Sequence, residues 1–285
     1  MDWPFLGSEA LAAKALPERA MRSLYEAVYP GVYVPSGTEL TAGQRAHAAW
    51  LWSRRRAGVA GNSAAALLGA KWVNGWAPAE LVHVNRHPPP LITVHADTLL
   101  ESEVIDVGGI SVTTAARAAF DIGRRTSRLQ AVQRLDALAN ATDVKMLDVE
   151  VLAAQHPGAR GVRRLLEVLP LVDGGAESPP ETRTRLALID AGFPAPRTQI
   201  PILDPSGYLV ARVDMGWEEW RVGVEYDGAQ HWTDPRQRTR DIDRWAEVAE
   251  CGWTIIRVGS DLLRYRQGTL MQRVDAALSA AGFRP

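Results

Sequence analysis

The sequence has 285 residues, an apolar fraction of 46% and a single cysteine. A chain of this length forms two domains or one large one, and this apolar fraction is ordinary for a globular protein with a sizeable core. The lone Cys251 excludes an internal disulfide and predicts a cytoplasmic location. No apolar run reaches the ~18 residues of a membrane span and the N-terminus lacks the pattern of a secretory signal, so no membrane partner is expected.

The net charge of −1 is divided unevenly along the chain. Residues 1–170 contain 18 Lys+Arg and 16 Asp+Glu, whereas residues 171–285 contain 14 and 17, and every basic residue after Lys145 is an arginine. The chain as a whole has no excess of basic residues that would indicate a nucleic-acid partner. A mildly acidic second half is nevertheless compatible with a carboxylate-rich site flanked by local arginine patches.

The first 40 residues predict two short helices, at 8–15 and 17–28, followed by a strand and turn at 31–37. Helix, helix and β wing is the order of a small winged helix-turn-helix, although two helices and a hairpin are also common without that function. On the winged-helix interpretation, Arg19 and Arg22 of the second helix contact DNA. On the alternative, they are solvated surface charges.

Helical periodicity continues over 41–70, short β patterns occupy 81–113, and helices return over 114–169. GVYV after two helices, then AGNSAAALLGA and GGISVTTAARAAFDIG, resemble the AbiEi-type antitoxin region. That resemblance implies that residues 1–170 form a winged-helix regulator. Its possible partner is a cognate toxin or another protein. The usual Ser-His of this pattern is Gly61-Asn62 here, so a role for that histidine does not transfer. His83, His87 and His95 have no carboxylate or cysteine at ligand spacing, so no metal site is predicted there.

Residues 171–180 are rich in Gly, Pro and acidic residues and predict a linker. The pattern that follows, over 181–285, is more regular. It predicts the order α-β-β-β-α-β-α, in which the second helix begins at Asp234-Pro235 and the last helix spans 261–281. The predicted fold class is therefore α/β (α+β), with an N-terminal winged-helix plus mixed α/β region and a second domain over 181–285.

Three acids, Asp214, Glu225 and Asp227, are predicted on one face of the hairpin in this second domain. A two-residue turn at 218–219 would place Asp214 opposite Gly223, and side chains alternate along each strand. Carboxylates gathered on one face repel one another, and Mg²⁺ or Mn²⁺ would relieve that repulsion. The alternative is that these acids are the solvated face of an ordinary hairpin.

Several motifs occur in a fixed order over residues 177–283. They are ESPPETR at the opening helix, DMGWEEWRVGVEYDGAQH at the hairpin, DIDRW on the next helix and GWTIIRVGSDLL at the last strand. Together they resemble the endonuclease-like domain that is widespread in actinobacteria, a relative of very-short-patch repair endonucleases in the PD-(D/E)XK superfamily. The resemblance implies a restriction-endonuclease-like fold and a DNA endonuclease dependent on Mg²⁺ or Mn²⁺, acting in defence or repair.

The resemblance also implies roles for individual residues. Asp214 and Glu225 would be metal ligands, joined by Asp227, and Glu181, or failing that Glu177, would be the helix glutamate of the acidic cluster. Asp227 falls where many members of the superfamily have a catalytic lysine, which this half of the chain lacks altogether. His231 would assist the attacking water or, alternatively, cap the next helix or lie satisfied at the domain surface. The arginines that follow would hold flanking phosphates or form a solvated face: Arg236, Arg238, Arg240 and Arg244. The alternative function is a non-catalytic DNA-binding regulator or antitoxin with a degenerate nuclease fold.

Overall fold

The computed structural model describes residues 3–85, 87–228 and 244–284. It confirms the mixed α/β class and divides the chain into two compact units, 1–174 and 175–285. The division falls inside the predicted linker. That segment is nevertheless tied down, because Asn140 Nδ2 donates to the Gly174 carbonyl at 2.8 Å and the Asp173 amide donates to Asp136 Oδ1 at 2.8 Å.

The N-terminal part of the first unit is a three-stranded sheet with two short helices. Its elements are β1 (Phe5–Leu6), α1 (Gly7–Ala12), α2 (Glu18–Leu24), β2 (Tyr25–Tyr29) and β3 (Val32–Pro35). The sheet order is β1-β3-β2, with both pairings antiparallel. The prediction of a helix through residue 28 is wrong, because the chain after Leu24 pairs with β3 in a hairpin. Aromatic and β-branched residues in that stretch favour the strand.

The rest of the first unit combines a five-stranded sheet with a group of helices. The elements are α3 (Ala42–Trp52), β4 (Gly58–Val59), α4 (Gly61–Leu67), β5 (Ala79–Val82), β6 (Ile92–His95), a 3₁₀ turn (Glu101–Glu103), β7 (Val104–Val107), β8 (Ile110–Thr113), α5 (Ala115–Arg125), α6 (Arg128–Ala141), α7 (Met146–Gln155), α8 (Val162–Val168) and a second 3₁₀ turn (Leu169–Leu171). The sheet order is β6-β5-β4-β8-β7. The predicted helix over 41–70 is interrupted, since Arg54 and Arg55 adopt positive φ angles of 58° and 62° and β4 follows.

The second unit packs helices on both faces of a four-stranded sheet. Its elements are α9 (Pro179–Asp190), β9 (Arg197–Leu203), β10 (Leu209–Trp217), β11 (Val222–Tyr226), α10 (described from 244 to 250), β12 (Thr254–Val258), α11 (Ser260–Tyr265) and α12 (Gln267–Ala280). The sheet order is β12-β11-β10-β9, with β11 and β12 parallel and the other pairs antiparallel. The predicted last helix is two helices that meet at Arg266. The predicted helix start at Asp234-Pro235 lies outside the described residues.

Two apolar clusters hold this sheet between its helices. One contains Met215 and Val224 of the sheet with Leu188 of α9 and Leu270 of α12. The other joins the opposite face of the sheet to α10 and includes Val248. Among all the described residues, no helix is both long and apolar enough to cross a membrane.

Candidate functional site

The hairpin of β10 and β11 has a four-residue loop rather than the predicted two-residue turn. Met215 opposes Val224, and Gly216 opposes Gly223. The predicted register, with Asp214 opposite Gly223, is therefore wrong by two residues. Because side chains alternate with a period of two, a shift of two residues leaves every side chain on its predicted face.

Regular pairing of the two strands gives way to side-chain hydrogen bonds at Asp214. The Asp214 amide donates to Glu225 Oε2 at 3.1 Å, and the Tyr226 amide donates to Asp214 Oδ2 at 2.7 Å. On the other neighbouring strand, Gln199 adopts a positive φ of 52°, which is rare for a residue with a side chain. The two carboxylates are thus held by backbone amides at a point where the strand geometry is irregular.

A third carboxylate comes from the first turn of α9. Ser178 caps this helix by accepting from the Glu181 amide, and its hydroxyl donates to Glu181 Oε1 at 2.6 Å. The Glu177 amide and Gln199 Nε2 both donate to Glu181 Oε2, at 2.8 Å and 3.3 Å. A carboxylate is favourable in the first turn because the helix N-terminus carries partial positive charge. These contacts fix Glu181, which is 8% exposed, next to β9.

Burial and mutual repulsion act on these three carboxyl groups. Burial, with smaller contributions from Glu225, Glu181 and Glu177, raises the pKa of Asp214 to about 8, against the hydrogen bond from Tyr226. Burial also raises the pKa of Glu225 and that of Glu181 above their ordinary values. The predicted pair of Asp214 and Glu225, with Glu181 from the helix, is therefore one electrostatically coupled cluster.

Asp227 has a different environment from the one predicted for it. Arg257 Nη2 of β12 donates to Asp227 Oδ2, so this carboxylate is neutralised by an ion pair. In the parallel ladder, Arg257 is the register partner of Glu225, and its charge lowers the pKa of Glu225 in opposition to burial. The role of Asp227 as a third metal ligand stays a prediction. In this structure Asp227 holds an arginine beside the cluster.

The cluster matches a hard divalent cation in the chemistry of its donors. Carboxylate oxygens are the ligands that Mg²⁺ and Mn²⁺ prefer, and a cation would relieve the repulsion between Asp214, Glu225 and Glu181. Within the part of the chain that the structure describes, no three acidic, histidine or cysteine side chains are arranged to hold a metal ion as they stand.

The remaining predicted site residues fall into three groups. His231, Arg236, Arg238 and Arg240 lie outside the described residues. Arg244, at the described start of α10, is close enough for its charge to lower the pKa of Glu225. Arg19 and Arg22 are exposed on α2 of the first unit, where Arg22 pairs with Glu18. Arg19 and Arg22 thus belong to the first unit, and Arg244 belongs to the second.

Two residues of the site went unnoticed in the sequence. Gln199 and Arg257 reach the cluster from the two strands that flank the hairpin in the sheet, β9 next to β10 and β12 next to β11. Neither residue lies in a recognisable sequence motif, so only the strand order of the sheet shows that they lie beside the cluster. The second choice for the helix glutamate, Glu177, forms an ion pair with Arg212 at 3.0 Å and still contributes to the raised pKa of Asp214.

Comparison with known proteins gives relatives but no family. Two uncharacterised proteins from two strains of Mycobacterium tuberculosis are each 35% identical to this chain over 175 residues, which is 61% of the chain and 64% of their own length. The match thus spans less than two thirds of these curated relatives. No family model matches the chain. No solved structure matches it either.

Proposed function

We propose that residues 175–285 form a metal-dependent DNA endonuclease unit centred on Asp214, Glu225 and Glu181. The supporting observation is that three buried carboxyl groups with raised pKa values meet where β10, β11 and the first turn of α9 come together. Burying like charges together destabilises a fold, so such clusters occur mainly at functional sites. The order of elements and the resemblance to very-short-patch repair endonucleases favour phosphodiester hydrolysis among the reactions of such sites.

The donor set determines what a cation would contribute. Mg²⁺ or Mn²⁺ bound here supplies positive charge that screens the phosphodiester and favours ionisation of the attacking water. Glu181 and Asp214 are oriented by backbone amides and by Ser178, which limits the number of positions their oxygens can take. Preorganised charge of this kind is the main source of catalysis when the substrate is an anion.

Arg257 compensates for the missing lysine of the superfamily motif. The position of that lysine is occupied by Asp227, which holds Arg257 beside Glu225. A guanidinium at this point supplies the positive charge that a lysine would otherwise supply to the reacting phosphate.

A cleavage assay tests the proposed function. Purified protein is incubated with supercoiled and branched DNA, with and without Mn²⁺. Glu225→Gln keeps the shape of the side chain and removes its charge, so we expect cleavage to be slower by at least ~100-fold while DNA affinity is retained. Arg257→Met should also slow cleavage, because the positive charge beside the phosphate is lost.

The matched control for these variants is Glu219→Gln in the exposed loop of the same hairpin. It removes the same charge outside the cluster and should cleave at the wild-type rate. Equal rates for wild type and Glu225→Gln would assign any observed cleavage to another site or a contaminant. Complete absence of cleavage in every metal tested, with DNA still bound, would favour the second candidate function.

That second candidate is a cytoplasmic DNA-binding regulator or antitoxin that does not cut. It is favoured by the α1-α2-hairpin order of the first 35 residues, in which α2 exposes Arg19 and Arg22. A short helix followed by a β hairpin is the arrangement with which winged helices contact a DNA groove. The protein partner in that case would be a cognate toxin or another protein.

A further inference from the structure

The first unit contains a polar cavity of about 450 Å³, remote in sequence from the carboxylate cluster. Its lining comes from α4, β5, β6, α5 and α6 and includes Asn62, Glu80, Thr93, His95, Arg125 and Arg134. The volume lies within the range of sites for small organic ligands. The lining is mixed in charge, with arginines and carboxylates both present.

Arg125 brings a guanidinium with an unused donor to this cavity. Its Nη2 pairs with Asp97 and, at 3.1 Å, with Asp121. Its Nη1 is buried and has no hydrogen-bond partner among the described residues. Burial is the largest influence on Arg125 and lowers its pKa. A buried donor on a charged group carries a desolvation cost that an acceptor in the cavity would remove.

Asp121 cannot meet this need, because its carboxylate is already shared among arginines. Arg117 Nε donates to its Oδ2 and Arg124 Nε to its Oδ1, both at 3.1 Å. These arginines belong to a buried network that also contains Asp97 and Glu103. The network explains how the unit accommodates buried arginines. It leaves Arg125, a residue of the cavity lining, with its Nη1 buried and without an acceptor among the described residues.

A hydrogen-bond acceptor that lacks a donor belongs to a residue of the same cavity lining. Asn62 Oδ1 is buried without a hydrogen-bond partner in the described chain. The orientation of this side-chain amide is fixed, because Asn62 Nδ2 donates to Glu80 Oε1 at 2.8 Å. The backbone N–H of Asn62 donates to the same oxygen at 3.0 Å. Reversing the amide would bring its oxygen against the Glu80 carboxylate. Glu80 Oε2 in turn lies 3.0 Å from His95 Nε2, a pairing that local sequence spacing did not reveal.

We propose that this cavity binds a small organic anion that also carries a hydrogen-bond donor. The anionic oxygen accepts from Arg125 Nη1, and a hydroxyl or amine of the ligand donates to Asn62 Oδ1. Arg134, on the same lining, adds a second positive charge for the anion. Charge-assisted hydrogen bonds of this kind are the stronger ones in proteins. The proposal is independent of the nuclease function, since it involves no residue of the second unit.

Isothermal titration of the full-length protein tests the proposal with three probes. Glycerol 3-phosphate and glycolate each join an anion to a hydroxyl group, one as a phosphate ester and the other as a carboxylate, whereas glycerol has hydroxyl groups without an anion. We expect at least one of the two anions to bind with a stoichiometry of one, and glycerol not to bind. The stronger of the two anions identifies the source of the anionic group. Failure of both anions to bind, or equal binding of glycerol, would overturn the proposal.

Two variants locate the binding. Arg125→Met removes the unused donor and should weaken binding of the anion at least ~10-fold. Because Arg125 also pairs with Asp97 and Asp121, Thr93→Phe provides a second test: it fills the exposed lining on β6 and leaves those ion pairs in place. Arg163→Met, at a 95% exposed arginine on α8 outside the lining, is the control and should bind as wild type does. Wild-type affinity in Thr93→Phe would place the anion elsewhere and refute the assignment.

Discussion

At Asp214, burial and neighbouring carboxylates act in the same direction, and the backbone amide of Tyr226 opposes them only in part. A carboxyl group with a pKa of about 8 in the folded protein and an ordinary value in the unfolded chain takes up a proton on folding. Its contribution to stability is therefore most favourable at acid pH and decreases as the pH rises from about 4 towards 8. Such a residue destabilises the metal-free protein at neutral pH.

Asp214→Asn tests this destabilisation. The amide keeps an oxygen for the Tyr226 N–H and removes the titrating charge, so we expect the metal-free variant to be more stable than wild type at pH 8. The difference should shrink towards pH 5, by at most about 1.4 kcal/mol per pH unit. Urea unfolding in EDTA at several pH values measures it.

Asp227→Asn is the matched control, because it removes a carboxylate that is paired with Arg257. It should give no stabilisation at pH 8. Mn²⁺ should raise the melting temperature of wild type by mass action and leave that of Asp214→Asn unchanged. A much less stable Asp214→Asn, together with a wild type that does not respond to metal, would mean that the carboxylate has a structural role.

At the scale of elements, alternation of side chains was enough to predict the strands of the second unit and the face on which Asp214 and Glu225 lie. It did not give the loop length, since Glu218 and Glu219 look like a complete polar turn. Trp220 lies in the loop and packs edge to face against Phe283, with ring centroids 4.9 Å apart. Such a contact between distant residues leaves no periodic signal. The same explanation applies to the parallel pairing that brings Arg257 beside Glu225.

At Gly216, β10 and β11 approach each other too closely to leave room for a side chain. A Cβ built on Gly216 lies 2.3 Å from the Val222 carbonyl oxygen, and backbone atoms of a paired strand have little freedom to move. We expect Gly216→Ala to destabilise the protein by about 1–3 kcal/mol, the usual cost of overpacking. Gly268→Ala on α12 is the control, because no atom lies within 4 Å of its Cβ position. It should leave stability unchanged or raise it by up to about 1 kcal/mol, through the higher helix propensity of alanine. Similar urea midpoints for the two variants would contradict the strand geometry.

At the scale of the whole molecule, the chain combines two compact units that differ in charge and in the groups they expose. The mixed α/β class and the boundary region were predictable, because composition changes sharply at 171–180. The buried network of Arg117, Asp121 and Glu103 was not, since its members are ordinary charged residues in the sequence and Glu103 meets Arg117 only when the 3₁₀ turn at Glu101–Glu103 packs on α5.

The division into units leads to a prediction about DNA binding. The second unit is net acidic, and its carboxylate cluster repels phosphate in the absence of a cation, whereas the first is slightly basic and exposes Arg19 and Arg22. In EDTA, we therefore expect residues 1–174 to bind duplex DNA more tightly than residues 175–285. Binding should weaken as salt increases, because phosphate contacts release counterions. Fluorescence anisotropy at two salt concentrations measures both fragments.

Arg19→Ala with Arg22→Ala should weaken binding by the first fragment, and Arg163→Ala, which removes an exposed arginine of α8, should do so less. Tighter binding by the second fragment in EDTA would show that the first unit is not the DNA reader, and a protein partner would then be the better assignment for it.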